Sequence, residues 1–207
     1  MPQTIAIIDY SSGNLHSVYK KLCRLKARPI ICHKPEDLQK ADKIILPGVG
    51  HFGTAMTCLQ SSDLLDALQY EVMINRKATL GICLGMQLMA QKSEEAPGYK
   101  GLGWIDAEVV RFKHQNSYQF RTPHTGWNNL KIKKEDSCID HLTTDAEFYF
   151  THSYHLVSQD PSIIIAETYY EYHFISVIRW QHLFGVQFHP EKSHEAGERL
   201  FENFLSL

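Results

Sequence analysis

The sequence lacks the features that mark membrane, secreted and nucleic-acid-binding proteins. No run approaches the roughly 18 apolar residues of a membrane-spanning helix, and residues 1–9 carry neither the basic start nor the long apolar run of a signal peptide. Lys and Arg, 21 in number, balance 23 Asp and Glu and form no basic cluster for nucleic acid. We therefore expect no membrane and no nucleic acid among its partners, and instead a small substrate or a protein partner.

Cysteine is scarce, and its spacing does not suggest disulfides or a metal site. The five cysteines are an odd number, and no two are separated by two residues. This pattern argues against a disulfide framework or a zinc site and fits a reduced, cytoplasmic setting. No H-x₃-H or H-E-x-x-H pattern occurs either, so we expect no metal and no cofactor. One cysteine is then a candidate nucleophile, and the others are candidate buried residues.

The first half of the sequence alternates predicted strands with predicted helices. Short apolar runs predict buried strands at residues 4–9, 29–33, 43–46 and 78–82. Apolar residues at helical spacing predict helices at 15–25, 36–41 and 63–75, the first of them capped by Asn14. Such alternation predicts a parallel sheet with helices on both faces.

The second half is richer in strands. Between about residues 102 and 188, strands are predicted at 107–112, 118–122, 148–153, 163–167, 174–180 and 183–188, and a helix follows at 196–207. The chain has 207 residues and shows no internal repeat or linker, so we expect one domain over residues 1–207. The expected fold class is α/β, with a central mixed, mostly parallel sheet flanked by helices and a β-rich second half.

The sharpest local pattern is residues 79–87 (TLGICLGMQ), in which Gly81 and Gly85 flank Cys83 at two residues on either side. This is the cysteine form of the G-x-S-x-G nucleophile elbow, a tight strand-to-helix turn where only glycine fits beside the nucleophile. The start of the following helix favours the reactive thiolate. The alternative is an ordinary buried cysteine beside packing glycines, but its place at the end of a predicted strand favours the elbow.

A candidate base and its orienting group follow the last predicted strand, in the sequence H-P-E. Pro190 fixes its own backbone and pushes His189 towards an extended conformation, so both polar side chains can be held rigidly. A Glu191 carboxylate bonded to one ring nitrogen would leave the other to face a thiol, as in a catalytic triad. An isolated H-P-E is more often an exposed turn. The cysteine elbow upstream favours a triad of Cys83, His189 and Glu191.

A third segment, residues 47–50 (PGVG), ends the third predicted strand. Acyl transfer needs hydrogen-bond donors for an oxyanion, and backbone N–H groups of a glycine turn can supply them. Ligands of parallel sheets bind at the carboxyl ends of the strands, the edge at which Cys83 is expected. The alternative is a plain turn, which Pro-Gly also indicates.

These three motifs, in this order, resemble the class I glutamine amidotransferases: residues 47–50, 81–87 and 185–191 (GVQFHPE). A narrower resemblance, to the glutaminase subunits of imidazole glycerol phosphate synthase, is carried by residues 9–10, 13–15, 101–103, 123–128, 152–154 and 192–193. The resemblance extends from residue 5 to residue 204, which is essentially the whole chain.

The resemblance implies that glutamine is the substrate. Cys83 would attack its side-chain amide, and His189, oriented by Glu191, would transfer protons. An oxyanion hole would come from backbone N–H groups of Val49, Gly50 and Leu84. The glutamine would be held by Gly50, Gln87, Ser153 and Tyr154.

The resemblance also implies a heterodimer with a separate (β/α)₈-barrel cyclase subunit that receives the ammonia. That partner makes imidazole glycerol phosphate and an aminoimidazole carboxamide ribotide in histidine biosynthesis. The activity of the lone subunit would be low until the partner and its ligand bind. The residues at or near the subunit interface would be Asn14, Trp127, Tyr154 and Lys192.

The chain departs from the usual family pattern at three positions in regions used for partner contact or signalling. Ser11, followed by Ser12, replaces a usual glycine and would be strained if its φ must be positive, and Thr125 replaces a usual methionine. These changes do not affect the residues of the glutaminase chemistry, but they leave open which molecule accepts the ammonia. The alternative is a related subunit whose cyclase-like partner uses the ammonia on a surface-polysaccharide sugar.

Two alternative functions from other classes of protein remain open. One is a stand-alone cysteine hydrolase or peptidase, against which Trp127 and Lys192 argue. The other is a binding subunit that has lost turnover, against which the intact Cys83, His189 and Glu191 argue.

Overall fold

The computed structural model describes residues 2–11, 13–115, 118–143 and 145–207, so Ser12 lies outside the described residues. These residues form a main sheet of 11 strands and a separate two-stranded sheet. The α/β fold with a mixed central sheet that the sequence predicts is confirmed. No helix in the described part of the chain is long and apolar enough to cross a membrane.

Five parallel strands form the centre of the main sheet, in the order β2-β1-β3-β4-β13. Apart from the edge strand β2, which is partly exposed, they are buried because helices cover both faces, and this explains their continuous apolar runs. Their bounds are β1 (Thr4–Ile8), β2 (Arg28–Cys32), β3 (Lys43–Leu46), β4 (Thr79–Ile82) and β13 (Leu183–Val186).

Beyond β13 the sheet continues through antiparallel pairs, except for the parallel pair of β5 with β6 at its edge, and the separate sheet pairs β7 with β9. The remaining strands are β5 (Lys92–Ser93), β6 (Glu108–Arg111), β7 (His124–Asn129), β8 (Lys131–Ile132), β9 (Glu147–His152), β10 (Tyr154–Val157), β11 (Ile164–Tyr170) and β12 (Tyr172–Trp180).

The described helices are mostly short. They are α1 (Leu15–Arg24), α2 (Pro35–Lys40), α3 (Phe52–Ser61), α4 (Leu64–Gln69), a π-helical turn (Tyr70–Ile74), α5 (Leu84–Leu88), α6 (His194–Ser206) and three 3₁₀ turns (Ser137–Ile139, Pro161–Ile163 and Pro190–Lys192). Asn14 occupies the N-cap position of α1 as predicted, and its side chain makes no capping hydrogen bond.

Helix α3 is absent from the sequence prediction, because Gly53, Thr54 and Thr57 are weak helix formers. Tertiary packing stabilises it instead, since Phe52, Ala55, Met56 and Leu59 are buried along one face.

The strand predicted at residues 118–122 is wrong, because these residues form turns and bends. The backbone of Arg121 is paired with a side chain rather than with a neighbouring strand. Its N–H donates to the Tyr170 hydroxyl at 3.0 Å, and its carbonyl accepts from the same hydroxyl at 2.8 Å. The strand begins later, at β7, whose Gly and Asn residues disfavour a strand prediction.

Candidate active site

Three neighbouring parallel strands end at one edge of the main sheet, and each leads into a predicted motif. β3 leads into residues 47–50, β4 into Cys83, and β13 into residues 187–191. Because the carboxyl ends of parallel strands share an edge, motifs that are far apart in sequence meet in space.

Cys83 lies in a sharp strand-to-helix turn between β4 and α5. Its backbone has φ 54° and ψ −109°, a strained conformation for a residue other than glycine. Its N–H donates to the Val186 carbonyl at 2.8 Å, which fixes the turn against β13. A Cβ on Gly85 would lie only 1.7 Å from the Leu46 carbonyl oxygen, so glycine is required there. The local geometry is therefore that of a nucleophile elbow.

His189 and Glu191 form a buried pair beside the elbow. His189 Nδ1 donates to Glu191 Oε1 at 2.8 Å, and the two side chains are 1% and 2% exposed. Burial by itself lowers the pKa of His189, but Cys83 and Glu191 together raise it to about 10. At neutral pH His189 is therefore an imidazolium. Its Nε2 has no hydrogen-bond partner among the described residues.

A cavity of about 310 Å³ opens at Cys83. It brings together the residues predicted for the oxyanion hole and for substrate binding: Val49, Gly50, Leu84, Gln87, Ser153 and Tyr154. His189 and Glu191 do not line it, because both are almost fully buried. A larger groove of about 980 Å³ lies elsewhere, beside Trp127 and the start of α6, and contains none of the predicted catalytic residues.

The sequence analysis missed one charged residue of the cavity, Glu95. Its Oε2 accepts a hydrogen bond of 2.8 Å from the N–H of Phe52, at the start of α3. The acidic pair of Glu94 and Glu95 is visible in the sequence, but such pairs are common on solvated surfaces. Only the fold shows that Glu95 lines the same cavity as Cys83.

The chain matches known proteins over nearly its whole length. The model of the glutamine amidotransferase class-I family matches residues 6–207. The chain is 44% identical over 201 residues to imidazole glycerol phosphate synthase subunit HisH 2 of Methanococcus maripaludis, covering 97% of this chain and 98% of that protein. It is 41% identical over 203 residues to subunit HisH 2 of Pseudomonas aeruginosa, covering 98% and 99%.

The chain belongs to the class I glutamine amidotransferases, within the HisH family. The resemblance found in the sequence is thus confirmed, as is the prediction that the chain is a glutamine amidotransferase enzyme. Among solved structures, PurLQS from Thermotoga maritima superposes with a TM-score of 0.77 at 17% identity, covering 100% of this chain and 99% of that chain. At that identity the likeness shows the fold alone.

In this amidotransferase the carbonyl groups of the first two residues of the loop at residues 47–50 both accept hydrogen bonds. The buried Tyr10 hydroxyl donates to the Pro47 carbonyl at 2.5 Å. The N–H of Leu84 donates to the Gly48 carbonyl at 3.4 Å, a long bond that occupies one of the predicted oxyanion donors. Gly50 has φ 104°, a conformation that favours glycine.

Two of the predicted interface residues of the amidotransferase share an exposed aromatic and cationic patch. Trp127 is 43% exposed and stacks on His194 with ring centroids 4.9 Å apart. Lys192 Nζ lies 5.3 Å from the ring centroid of Tyr149, which contacts Trp127 edge-on at 5.8 Å. Tyr154 lines the cavity at Cys83 instead, and Asn14 precedes α1 on another loop.

The departures from the family pattern have local structural consequences. Ser11 adopts φ 63°, so the expected strain is present, and its N–H donates to Asp9 Oδ1 at 2.8 Å. Thr125 lies on β7 opposite Thr151, and their hydroxyl oxygens are 3.4 Å apart.

Proposed function

We propose that the chain hydrolyses the side-chain amide of glutamine through Cys83, His189 and Glu191. The observation that supports this most directly is a thiol on a strained elbow, beside a buried imidazolium–carboxylate pair and open to a small cavity. Cys83 Sγ attacks the amide carbon, and a tetrahedral oxyanion forms. His189 gives its proton to the leaving ammonia, and a γ-glutamyl thioester remains. His189 then takes a proton from water, the hydroxide attacks the thioester, and glutamate and the Cys83 thiolate separate.

The backbone N–H groups of Val49, Gly50 and Leu84 are proposed to stabilise the oxyanion. Leu84 can donate to it only after its 3.4 Å bond to the Gly48 carbonyl breaks. Since Tyr10 fixes Pro47, the movement required is confined to the residues that follow. Catalysis is therefore expected to need a rearrangement of this loop.

Gln87 and Glu95 are proposed to orient the substrate. Both amide hydrogens of Gln87 are used inside the protein, on the Tyr154 carbonyl and on Gln187 Oε1, so its own Oε1 is the atom left to accept from substrate. Glu95 supplies the carboxylate that the α-ammonium group of glutamine needs. The backbone of Ser153 and Tyr154 lines the rest of the cavity.

The ammonia is proposed to pass to a separate (β/α)₈-barrel cyclase subunit in a heterodimer, for imidazole glycerol phosphate synthesis in the cytoplasm. The relatives support this because their names describe subunits of that synthase. The patch around Trp127 and Lys192 supports a protein contact, since aromatic and cationic groups are enriched at interfaces. Asn14 and Tyr154 are proposed to complete the contact.

A second candidate function keeps the glutaminase and changes the acceptor to a surface-polysaccharide sugar. The relatives of this chain include both a HisH 1 and a HisH 2 subunit of Methanococcus maripaludis. Two copies allow one to serve another partner. Thr125, on the strand that carries Trp127, is a residue through which partner choice can change.

Glutamate release measured on the purified chain, alone and then with a histidine-pathway cyclase subunit and its ribotide ligand, separates the two candidates. A large rise with the cyclase and ligand is expected. If the rate of glutamate release does not change when this cyclase is added, the glutaminase activity stands and the sugar acceptor is favoured.

The Cys83→Ala variant tests the nucleophile in the same complex. It is expected to abolish glutamine-dependent synthesis and to leave ammonia-dependent synthesis by the partner intact, because only the first route needs the thiol. Glutamine-dependent turnover that survives in this variant would rule out Cys83 as the nucleophile.

A further inference from the structure

Gln187 is a fully buried amide between the substrate cavity and the nucleophile, and the reaction described above does not use it. Its side chain is 0% exposed. Its Nε2 lies 3.7 Å from Cys83 Sγ, and its Oε1 lies 3.1 Å from Gln87 Nε2. Its backbone N–H donates to the Ser176 carbonyl at 2.9 Å, which fixes the main chain. The side chain therefore connects Gln87 to the reacting sulfur.

The direction of each amide follows from its partners. The Tyr154 carbonyl can only accept, so the Gln87 atom 2.9 Å from it must be the NH₂ group. The second hydrogen of this group points to Gln187, which must then present its oxygen. The NH₂ group of Gln187 is consequently the end that faces Cys83 Sγ.

The Tyr154 carbonyl has a second donor, and it belongs to a pair of buried histidines. His152 Nδ1 donates to it at 2.8 Å, and so His152 Nε2 is the acceptor for His124 Nδ1 at 3.1 Å. His124 Nε2 in turn accepts from Asn128 Nδ2 at 3.4 Å. Burial, with a smaller effect of His114, lowers the pKa of His124 to about 4, and burial also lowers the pKa of His152. Both rings are neutral, so the donor and the acceptor of every hydrogen bond in this network are determined.

We propose that Gln187 is a further catalytic residue, whose amide N–H stabilises the Cys83 sulfur, and that His152, His124 and Asn128 are positioning residues that hold the Tyr154 carbonyl. This inference rests on the proposed glutaminase function. A buried thiolate has lost its solvation by water, and an amide N–H replaces part of it. The contact weakens when sulfur becomes a neutral thioester, so it acts on the free nucleophile.

The reactivity of Cys83 towards iodoacetamide, without glutamine or partner, tests the contact directly, because the thiolate is the reacting species. The rate is followed on the peptide that contains Cys83 by mass spectrometry, since other cysteines also react. Gln187→Met keeps the shape and removes the amide. It is expected to slow alkylation of Cys83 about tenfold or more, the worth of one hydrogen bond to a charged group.

Gln69→Met is a matched control. The amide of Gln69 also uses both of its ends, since its NH₂ group donates to the Leu102 carbonyl and its oxygen accepts from Trp104, but it does not line the cavity. This variant is expected to alkylate Cys83 at the wild-type rate. If Gln187→Met does not fold, Gln187→Glu serves instead, because its carboxylate can accept from Gln87 but cannot donate to sulfur. Wild-type alkylation in a folded Gln187 variant would overturn the proposal.

The positioning role is tested with a double-mutant cycle on the same rate. His124→Phe keeps the ring stacked between Phe150 and Tyr170 and removes the bond to His152. It is expected to slow alkylation severalfold in the wild-type background and to have no further effect when combined with Gln187→Met. Multiplicative effects of the two changes would overturn the positioning role.

The glutaminase assay separates this inference from the proposed function. Absence of glutamate release by the wild-type chain in complex would contradict the glutaminase function. Normal release together with unchanged Cys83 alkylation in Gln187→Met would contradict only the role of Gln187.

Discussion

Two buried histidine sites in this molecule differ in charge at neutral pH: the site of His189 with Glu191 is charged, and the site of His124 with His152 is neutral. His189 has a pKa raised to about 10, and His124 has a pKa lowered to about 4, although each is almost completely buried. His189 contacts the Glu191 carboxylate and lies beside Cys83, whereas His124 contacts a second imidazole, on His152. Burial lowers the pKa of both rings, and only at His189 do the neighbouring Cys83 and Glu191 outweigh it. In the proposed reaction His189 transfers the protons, and the neutral histidines position the Tyr154 carbonyl in the neighbouring cavity.

The largest expected effect comes from removing the carboxylate that keeps His189 charged. Glu191→Gln should lower the pKa of His189 and reduce kcat for glutamate release about 10³-fold, because general acid–base catalysis contributes on that order. The measurement is steady-state glutamate release in the complex at constant pH.

An exposed carboxylate provides the control for this prediction. Glu202 pairs with Arg199 at the surface, and Glu202→Gln is expected to retain wild-type turnover. Equal turnover in Glu191→Gln and wild type would mean that His189 does not depend on its carboxylate.

The lowered pKa of His124 predicts that the folded protein loses stability in acid. The unfolded chain binds a proton at His124 near pH 6.5, whereas the folded chain does so only near pH 4, so the free energy of unfolding falls as pH decreases through this window. His124 alone is expected to contribute about 2 kcal/mol of this loss between pH 7.5 and pH 5. His189 acts in the opposite direction, since its contribution is fully present below pH 6.5 and is lost as pH rises through about 10.

Urea unfolding at several pH values measures the effect, and His124→Phe is the test variant. It should show a shallower acid decline than wild type, even if it is less stable at pH 7.5. An identical decline in both proteins would show that folding does not lower the pKa of His124.

The smallest effect is expected at the far end of the neutral site. Asn128→Ala removes the 3.4 Å contact to His124 and the 3.0 Å bond to the Tyr169 carbonyl. The free energy of unfolding should fall by about 1 kcal/mol, with the pH dependence unchanged, because burial and not Asn128 keeps His124 neutral. A changed acid decline in the same urea experiment would contradict this.

Sequence patterns predicted the charged site better than the neutral site. The proposed triad could be recognised because each residue belongs to a short motif whose backbone constraints are local: glycines around Cys83 and a proline between His189 and Glu191. The order of parallel strands then brought the motifs to one edge. His124 and His152 were seen only as parts of a resemblance, because their pairing depends on the alignment of β7 with β9.

The difference between local motifs and contacts made only in the folded protein also explains which residues could not be identified from the sequence. Gln187 lies in a motif that the sequence identified, whereas Glu95 lies in none, and the importance of both depends on where their side chains point. Strands β1, β3 and β4 were predicted because burial on both faces leaves continuous apolar runs. Helix α3 and the turn at residues 118–122 were not, since tertiary contacts override weak local preferences there.

Histidine ring NMR on the ¹⁵N-labelled chain tests the comparison most directly, because it reports the protons on each ring nitrogen. Spectra between pH 5 and pH 9, assigned with single histidine variants, are expected to show His189 doubly protonated at pH 8. His124 and His152 should be neutral at pH 6, each with its proton on Nδ1. A His189 ring that is neutral at pH 8, or a His124 ring that becomes charged near pH 6.5, would contradict the account.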